Sequence, residues 1–212
     1  MYRLPGVVPL WIAMALTCLC AATSRAAIDL ELRPANASSN VGDTVALGLF
    51  AVSDDSELDQ LFAAAGVMFA WDPNVLLLTG LDNSGAVSLL FSDFPLPDPH
   101  HLNEAIPPAD GDAFYQALAF LGTPASATPQ GALLTTFQFT ALRPAARSSI
   151  DILVEAGNPP GRTAVFDGTV PNLNVTGRLN GATIQIVPEP ASIMALLVLV
   201  PTLLSRRVRH TR

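Results

Sequence analysis

Lysine is absent from the chain, and all 11 basic residues are arginines. They gather at the two ends. Between residues 27 and 187 there are only Arg33, Arg143, Arg147, Arg162 and Arg178, set against 17 of the 18 acidic residues, which leaves that stretch near −12. A surface of that sign repels phosphate backbones, so nucleic acid is excluded as a partner. Cysteine is confined to Cys18 and Cys20 in the first apolar run. Removal of that run leaves no thiol, which excludes disulfides, thiol catalysis and cysteine-ligated metal from the mature body. Catalytic signatures are missing too. There is no Gly-x-Ser-x-Gly elbow and no phosphate-cradling glycine loop, and no carboxylate pair stands out as a glycosidase pair. The chain is read as a non-enzyme. The body also lacks a sustained amphipathic helical pattern; Asp59 to Ala65 has room for one or two helical turns.

What is present at the ends reads as address rather than fold. Arg3 precedes an uncharged apolar run from Val7 to Ala22, and Ser24-Arg25-Ala26 places small residues three and one positions before a cut. Signal cleavage is therefore expected between Ala26 and Ala27. Neither cysteine follows the pattern of a lipid-attachment site. At the other end, Val187-Pro188-Glu189-Pro190 is followed by 14 uncharged residues, Ala191 to Leu204, and then by Arg206, Arg207, Arg209 and Arg212. Arginines hold the end of an apolar run on the cytoplasmic side of a bilayer. The prolines break regular structure just before the membrane and present an extended peptide. As a helix the run would reach about 21 Å, short of the ~30 Å hydrocarbon core, so a transient anchor is expected.

This three-part tail resembles the PEP-CTERM protein-sorting domain over residues 187 to 212. The resemblance implies recognition by an exosortase, a membrane-embedded, transpeptidase-like cysteine enzyme. Pro188, Glu189 and Pro190 would be the sorting motif, and the apolar helix and the cytoplasmic anchor Arg206, Arg207, Arg209 and Arg212 would be discarded. It also implies a route through the secretion machinery: the inner membrane during processing, then the cell surface or an exopolysaccharide matrix.

Between the addresses, residues 27–187 read as one domain of alternating strands. Ile28, Leu30 and Leu32 alternate with Asp29, Glu31 and Arg33. Val45, Leu47, Leu49 and Ala51 form another apolar face, as do Val67, Phe69 and Trp71. Leu133, Thr135, Phe137, Phe139 and Ala141 are expected on one side of a strand, and Ile150, Ile152 and Val154 on one side of the next. Asn180-Gly181 predicts a two-residue hairpin turn. Ser92 to Asp112 carries Pro95, Pro97, Pro99, Pro107 and Pro108, which predicts a surface excursion rather than a central strand. Many short strands punctuated by Gly, Pro and Asn predict an all-β protein, a single antiparallel β-sandwich of jelly-roll type, flanked by an N-terminal signal helix and a C-terminal hydrophobic helix.

Three segments in order carry a second resemblance: Val41-Gly42-Asp43-Thr44-Val45, then Gly66 to Trp71 running into Asp72-Pro73-Asn74-Val75-Leu76, then Gly131-Ala132-Leu133-Leu134-Thr135-Thr136-Phe137-Gln138-Phe139. Their order is similar to that of cohesin-type sandwiches. The resemblance implies a carbohydrate-associated or protein-docking role. Two readings of the body follow, a structural envelope or matrix protein and a module that binds a glycan, such as the exopolysaccharide, or a protein. Phe91, Phe94, Phe114 and Tyr115 are the candidates for an exposed aromatic binding strip; the alternative for them is core packing. His100-His101 with Asp98, Glu104, Asp110 and Asp112 has metal-ligand chemistry, but adjacent side chains on an extended chain point apart. The run Asp54-Asp55-Ser56-Glu57-Leu58-Asp59 offers oxygen ligands that calcium favours, without the spacing of a helix–loop–helix site. No cofactor is otherwise expected.

Overall fold

The computed structural model describes residues 27–169 and 172–189. Ala26, Pro190 and the four terminal arginines lie outside the described residues, as do the two expected flanking helices. All regular structure within the described residues is β.

Two sheets face each other. In the first, β1 (Ile28–Pro34) and β10 (Ala132–Ala141) flank β3 (Thr44–Ser53), with β6 (Leu76–Asp82) on the far edge beside β10 and β15 (Thr176–Asn180) on the near edge beside β1. The second runs β2 (Ser38–Asn40), β16 (Ala182–Val187), β11 (Ala145–Leu153), β5 (Ala64–Trp71), β8 (Asp112–Leu118) and β7 (Phe91–Asp93). A short strand, β14 (Ala164–Phe166), shares the edge of β5 with β11. Most pairings are antiparallel, but β1–β15 and β16–β2 are parallel, so each sheet pairs an early strand with one of the last two. Two small ribbons complete the body: β4 (Gln60–Phe62) with β9 (Ala125–Ala127), and β12 (Glu155–Ala156) with β13 (Gly161–Arg162).

The apolar faces read from the sequence meet in the core. Leu30, Leu47, Leu49 and Phe137 from one sheet and Val67, Phe69, Ile150 and Ile184 from the other are fully buried. Its centre is aromatic: Phe69 and Phe137 lie 4.5 Å apart across the sheets, with Phe94 and Tyr115 around them. Trp71 shows why Trp-Asp-Pro-x-Val-Leu forms one unit. Its indole N–H donates to the Leu76 carbonyl at 2.9 Å, and Asp72 turns the chain by accepting from the Asn74 N–H at 2.9 Å. Asp72 thus caps the turn, and the ring of Pro73 fixes φ at its own position within it.

Four expectations change. β11 ends at Leu153, so Val154 does not continue the inward face of Ile150 and Ile152 and is exposed. In β10 the register slips between Leu133 and Thr135, a bulge that gives the buried position to Leu134 and leaves Leu133 half-exposed. Strict alternation cannot pass an inserted residue. Asn180-Gly181 is not a hairpin turn. It carries the chain from the first sheet, where β15 pairs with β1, to the second, where β16 pairs with β11. Gly181 is required by close approach, since a Cβ there would sit 2.6 Å from the Ile150 carbonyl oxygen. Finally, Asp59 to Ala65 forms β4 and the start of β5 rather than helical turns, because β9 supplies a strand partner.

The ends of the body lie at opposite poles. Ala27 accepts a hydrogen bond from the Asp54 N–H, just past the end of β3, whereas Val187 accepts one from the Val41 N–H, just before its start. Ten residues of strand separate these points, roughly 33 Å. Beyond Val187 the chain is exposed at Pro188 and Glu189.

Candidate functional site

The four aromatic candidates do not form a surface strip. Tyr115 and Phe94 are buried in the main core, and Phe114 is buried under the excursion. Phe91 is half-buried on the edge strand β7. The Tyr115 hydroxyl bonds to Ser92 Oγ at 2.7 Å and donates to the Leu134 carbonyl, and burial pushes its ionisation well above the usual phenol range. These rings have their faces taken up by packing.

The histidine region is a buttoned loop. The Asp98 carboxylate accepts from the backbone N–H groups of His100, Leu102 and Asn103, at 2.9, 2.6 and 3.0 Å. The Asn103 amide behaves as a missing strand residue, accepting from the Phe114 N–H at 2.9 Å and donating to its carbonyl at 2.7 Å. Leu102 thereby packs on Met68 and Phe114, forming a second small core on the outer face of the second sheet. The His100 ring packs edge-on to Phe114, and its Nδ1 lies 3.1 Å from the Pro159 carbonyl. His101 is exposed. Among the described residues, no three His, Cys, Asp or Glu side chains are grouped to hold a metal ion. Burial, reinforced by Asp110, Asp98 and Glu104, raises the pKa of Asp112.

The acidic run is also committed locally. Asp54 Oδ1 accepts from the Ala27 N–H and from Gln60 Nε2, Asp55 Oδ1 from the Glu57 and Leu58 N–H groups, and Asp59 from Ser126. These contacts fold the run into a tight turn that leads into β4.

The surface feature that stands out lies at the pole bearing Ala27. Beyond β8 the chain turns through Phe120-Leu121-Gly122-Thr123, closed by a 3.0 Å hydrogen bond from the Thr123 N–H to the Phe120 carbonyl. Gly122 has φ +76, the conformation a glycine supplies at the third position of such a turn. The turn thrusts Leu121 into solvent at 96% exposure, beside Leu90 at 56% and Phe120 at 45%. With Leu118, Pro124 and Ala63 they line a groove of about 350 Å³. Leu61 and Leu58, both exposed, sit on and beside the β4–β9 ribbon that leads out of the groove. Large exposed apolar side chains gathered in this way are unusual on a soluble domain and mark interaction surfaces.

Charge at this pole is of one sign. The groove is lined by Asp167 and adjoins the turn carrying Asp54, Asp55, Glu57 and Asp59. Among the described residues, no arginine pairs with Asp54, Asp55, Glu57 or Asp59. Arg33, Arg162 and Arg178 pair with Glu31, Glu155 and Asp29, while Arg143 and Arg147 lie at the opposite pole, beyond Ala141 and against Trp71. Sequence reasoning passed over Leu90, Phe120 and Leu121. The available signal was two large apolar residues ahead of a glycine turn, where solvated residues are the norm.

No protein-family profile matches the chain, and no curated protein matches it. Solved structures do. The cohesin module of a Clostridium perfringens family 33 glycoside hydrolase is 13% identical with a TM-score of 0.52, covering 77% of this chain and 99% of that one. The sixth cohesin of scaffoldin B from Acetivibrio cellulolyticus, solved with a dockerin, is 10% identical at TM-score 0.50, covering 76% and 99%. The seventh ScaB type I cohesin from Pseudobacteroides cellulosolvens is 9% identical at TM-score 0.50, covering 76% and 93%. At such identities the likeness is one of fold, and it matches the sequence resemblance: the body of this chain is a cohesin-like β-sandwich.

Proposed function

We propose that the chain is an exported envelope protein whose sandwich docks another protein through the apolar, carboxylate-flanked pole. The observation that carries the docking reading is the groove beside Leu90, Phe120 and Leu121 with acidic residues around it. Its charge selects the occupant: an amphipathic segment of a partner protein, with leucine-like side chains on one face and arginine or lysine on the other. Apolar contact supplies affinity, while opposite charge orients and speeds encounter. The dockerin bound to the Acetivibrio cohesin is precedent for a sandwich of this shape serving as a docking module, although fold alone does not fix function.

The test uses purified 27–187 and two synthetic amphipathic peptides, one Leu/Arg and one Leu/Glu. The Leu/Arg peptide should bind, and weaken as salt screens the carboxylates. Leu121→Glu should reduce its binding at least about tenfold with the circular dichroism spectrum unchanged, because a side chain this exposed contributes little to folding. Equal binding of both peptides, or no effect of Leu121→Glu, would overturn the reading.

Delivery is assigned to the tail. Pro188 and Glu189 leave the last strand exposed, as a protease cleft requires, and Pro190 completes the motif. With the apolar run in the inner membrane, the Glu189 pole faces the bilayer and the docking pole points away from it. Cleavage after Ala26 would turn the Ala27 N–H that donates to Asp54 at 2.8 Å into an ammonium, converting a hydrogen bond into an ion pair at the docking pole. The expected mature protein in its host begins at Ala27 and lacks the arginine cluster. Replacing Pro188 and Glu189 with alanine should retain the full tail, as mass spectrometry would read. An intact native C-terminus in the unmodified protein would remove the exosortase step.

A further inference from the structure

The groove beside Leu121 lies close to the point where the leader, residues 1–26, joins the body. Ala27 is the first described residue, and its N–H donates to Asp54 Oδ1 at 2.8 Å. The same oxygen accepts from Gln60 Nε2 at 2.6 Å. Gln60 opens β4, and Ala63, the residue after that strand, lines the groove. Three extended residues cover about 10 Å, which sets the gap between the leader's junction and the groove wall.

The leader's sequence matches what lies across that gap. Residues 23–26 reach about 13 Å when extended, enough to bridge it. They include Arg25, two residues before Ala27 and so within about 7 Å of it, in reach of the turn carrying Asp54, Asp55, Glu57 and Asp59. Ahead of them runs the uncharged apolar stretch from Val7 to Ala22. Going backwards from Ala27, the chain therefore presents one cation to the carboxylates and then apolar side chains to Leu90, Phe120 and Leu121. A second copy of the body would bring its own carboxylates to the same place and be repelled. The C-terminal apolar run departs from the opposite pole.

We infer that the uncleaved leader folds back over this groove and covers it, so that removal of the leader switches docking on. The inference rests on the docking reading of that pole and adds its regulation. Tethering makes the cover effective, because a segment held by a short flexible linker competes at an effective concentration of about 1 mM. A leader with an intrinsic Kd of about 0.1 mM for the groove then weakens a partner about tenfold. Cleavage after Ala26 removes the apolar cover and Arg25 together, leaving both the leucines and the carboxylates to a basic amphipathic partner.

Cysteine supplies the test, since Cys18 and Cys20 are the chain's only thiols. The full chain, made by cell-free synthesis without membranes, keeps its leader. Cys18→Ser leaves Cys20 as the single leader thiol. On that background Leu121→Cys adds a thiol at the groove, and Ser56→Cys adds one nearer the leader's junction but off the groove, both at exposed positions. Mild oxidation should crosslink the leader within one chain at least about fivefold more in Leu121→Cys than in Ser56→Cys. A leader moving freely would favour the nearer position, so equal or greater crosslinking in Ser56→Cys would overturn the inference. Crosslinks found only between chains would overturn it too and assign the groove to a second copy. The Leu/Arg peptide should bind the full chain at least about tenfold more weakly than residues 27–212, which differ by the leader alone. Equal affinity would overturn the covering and leave the docking reading standing. Failure of the peptide to bind the leader-free chain is instead the failure of the docking reading, and the crosslinking comparison still decides where the leader lies.

Discussion

Phe137→Ala is expected to destabilise the body by about 3–5 kcal/mol, the range for deleting a fully buried aromatic ring. Phe137 sits in the middle of β10, paired with Leu47 and Leu81, with no exposed surface. Its ring is the hub between the sheets, with centroid distances of 4.5 Å to Phe69, 5.5 Å to Tyr115 and 6.0 Å to Phe94. Those three rings come from β5, β8 and the start of the excursion, so the cavity left by alanine borders four segments and cannot collapse from one side. At the size of this domain the melting temperature should fall by roughly 10–15 °C. Urea unfolding of 27–187 would measure it. A loss below about 1 kcal/mol would mean that the two layers are not held together by this aromatic cluster.

Asp98→Ala should have the next largest effect, and a more local one. The substitution strands three backbone N–H groups, those of His100, Leu102 and Asn103, each now bonded to one carboxylate. Hydrogen bonds to a charged acceptor are worth about 1.5–3 kcal/mol, and three freed donors that partly reach water should cost about 3 kcal/mol. The excursion would then come away from Met68 and Phe114. Hydrogen exchange should accelerate in residues 98–111 and at Phe114, whose amide depends on Asn103, before it does in β3 or β10. Proteolysis should cut first between Asp98 and Asp112. Uniform acceleration across both sheets would show instead that the excursion is part of the global folding unit. The docking pole should keep its peptide binding in this variant, since neither Asp98 nor the residues it bonds line the groove.

The strands were legible because alternation is a local property. Where a strand keeps period two, as in Ile28 to Leu32 or Val67 to Trp71, composition alone tells which residues face inward. The excursion was legible for the same reason, since five prolines cannot sit in a central strand. The failures fall where a long-range partner decides. Leu134 displaced Leu133 because of a bulge visible only in the pairing with β3. Asn180-Gly181 looked like a hairpin because turn chemistry is local, but the strand on each side had a different sheet to join. Asp98 and Asn103 lie in the stretch read as a surface excursion, yet both are buried, Asp98 by bonding backbone N–H groups two to five residues ahead and Asn103 by bonding the backbone of Phe114.

The sites divide the same way. The address proposed for Pro188, Glu189 and the arginine cluster would need no fold to be read, because its parts follow one another in the chain. The acidity of the body and its lack of thiols are likewise properties of composition, and they restrict partners whatever shape the chain takes. The groove at Leu121 is not written in any contiguous stretch. It is assembled from strand ends and turns far apart in sequence, and whether an apolar side chain is core or surface is settled by what packs against it. Sequence determined the strands and the charge; tertiary packing decided which faces were left exposed, because burial is a relation between distant segments.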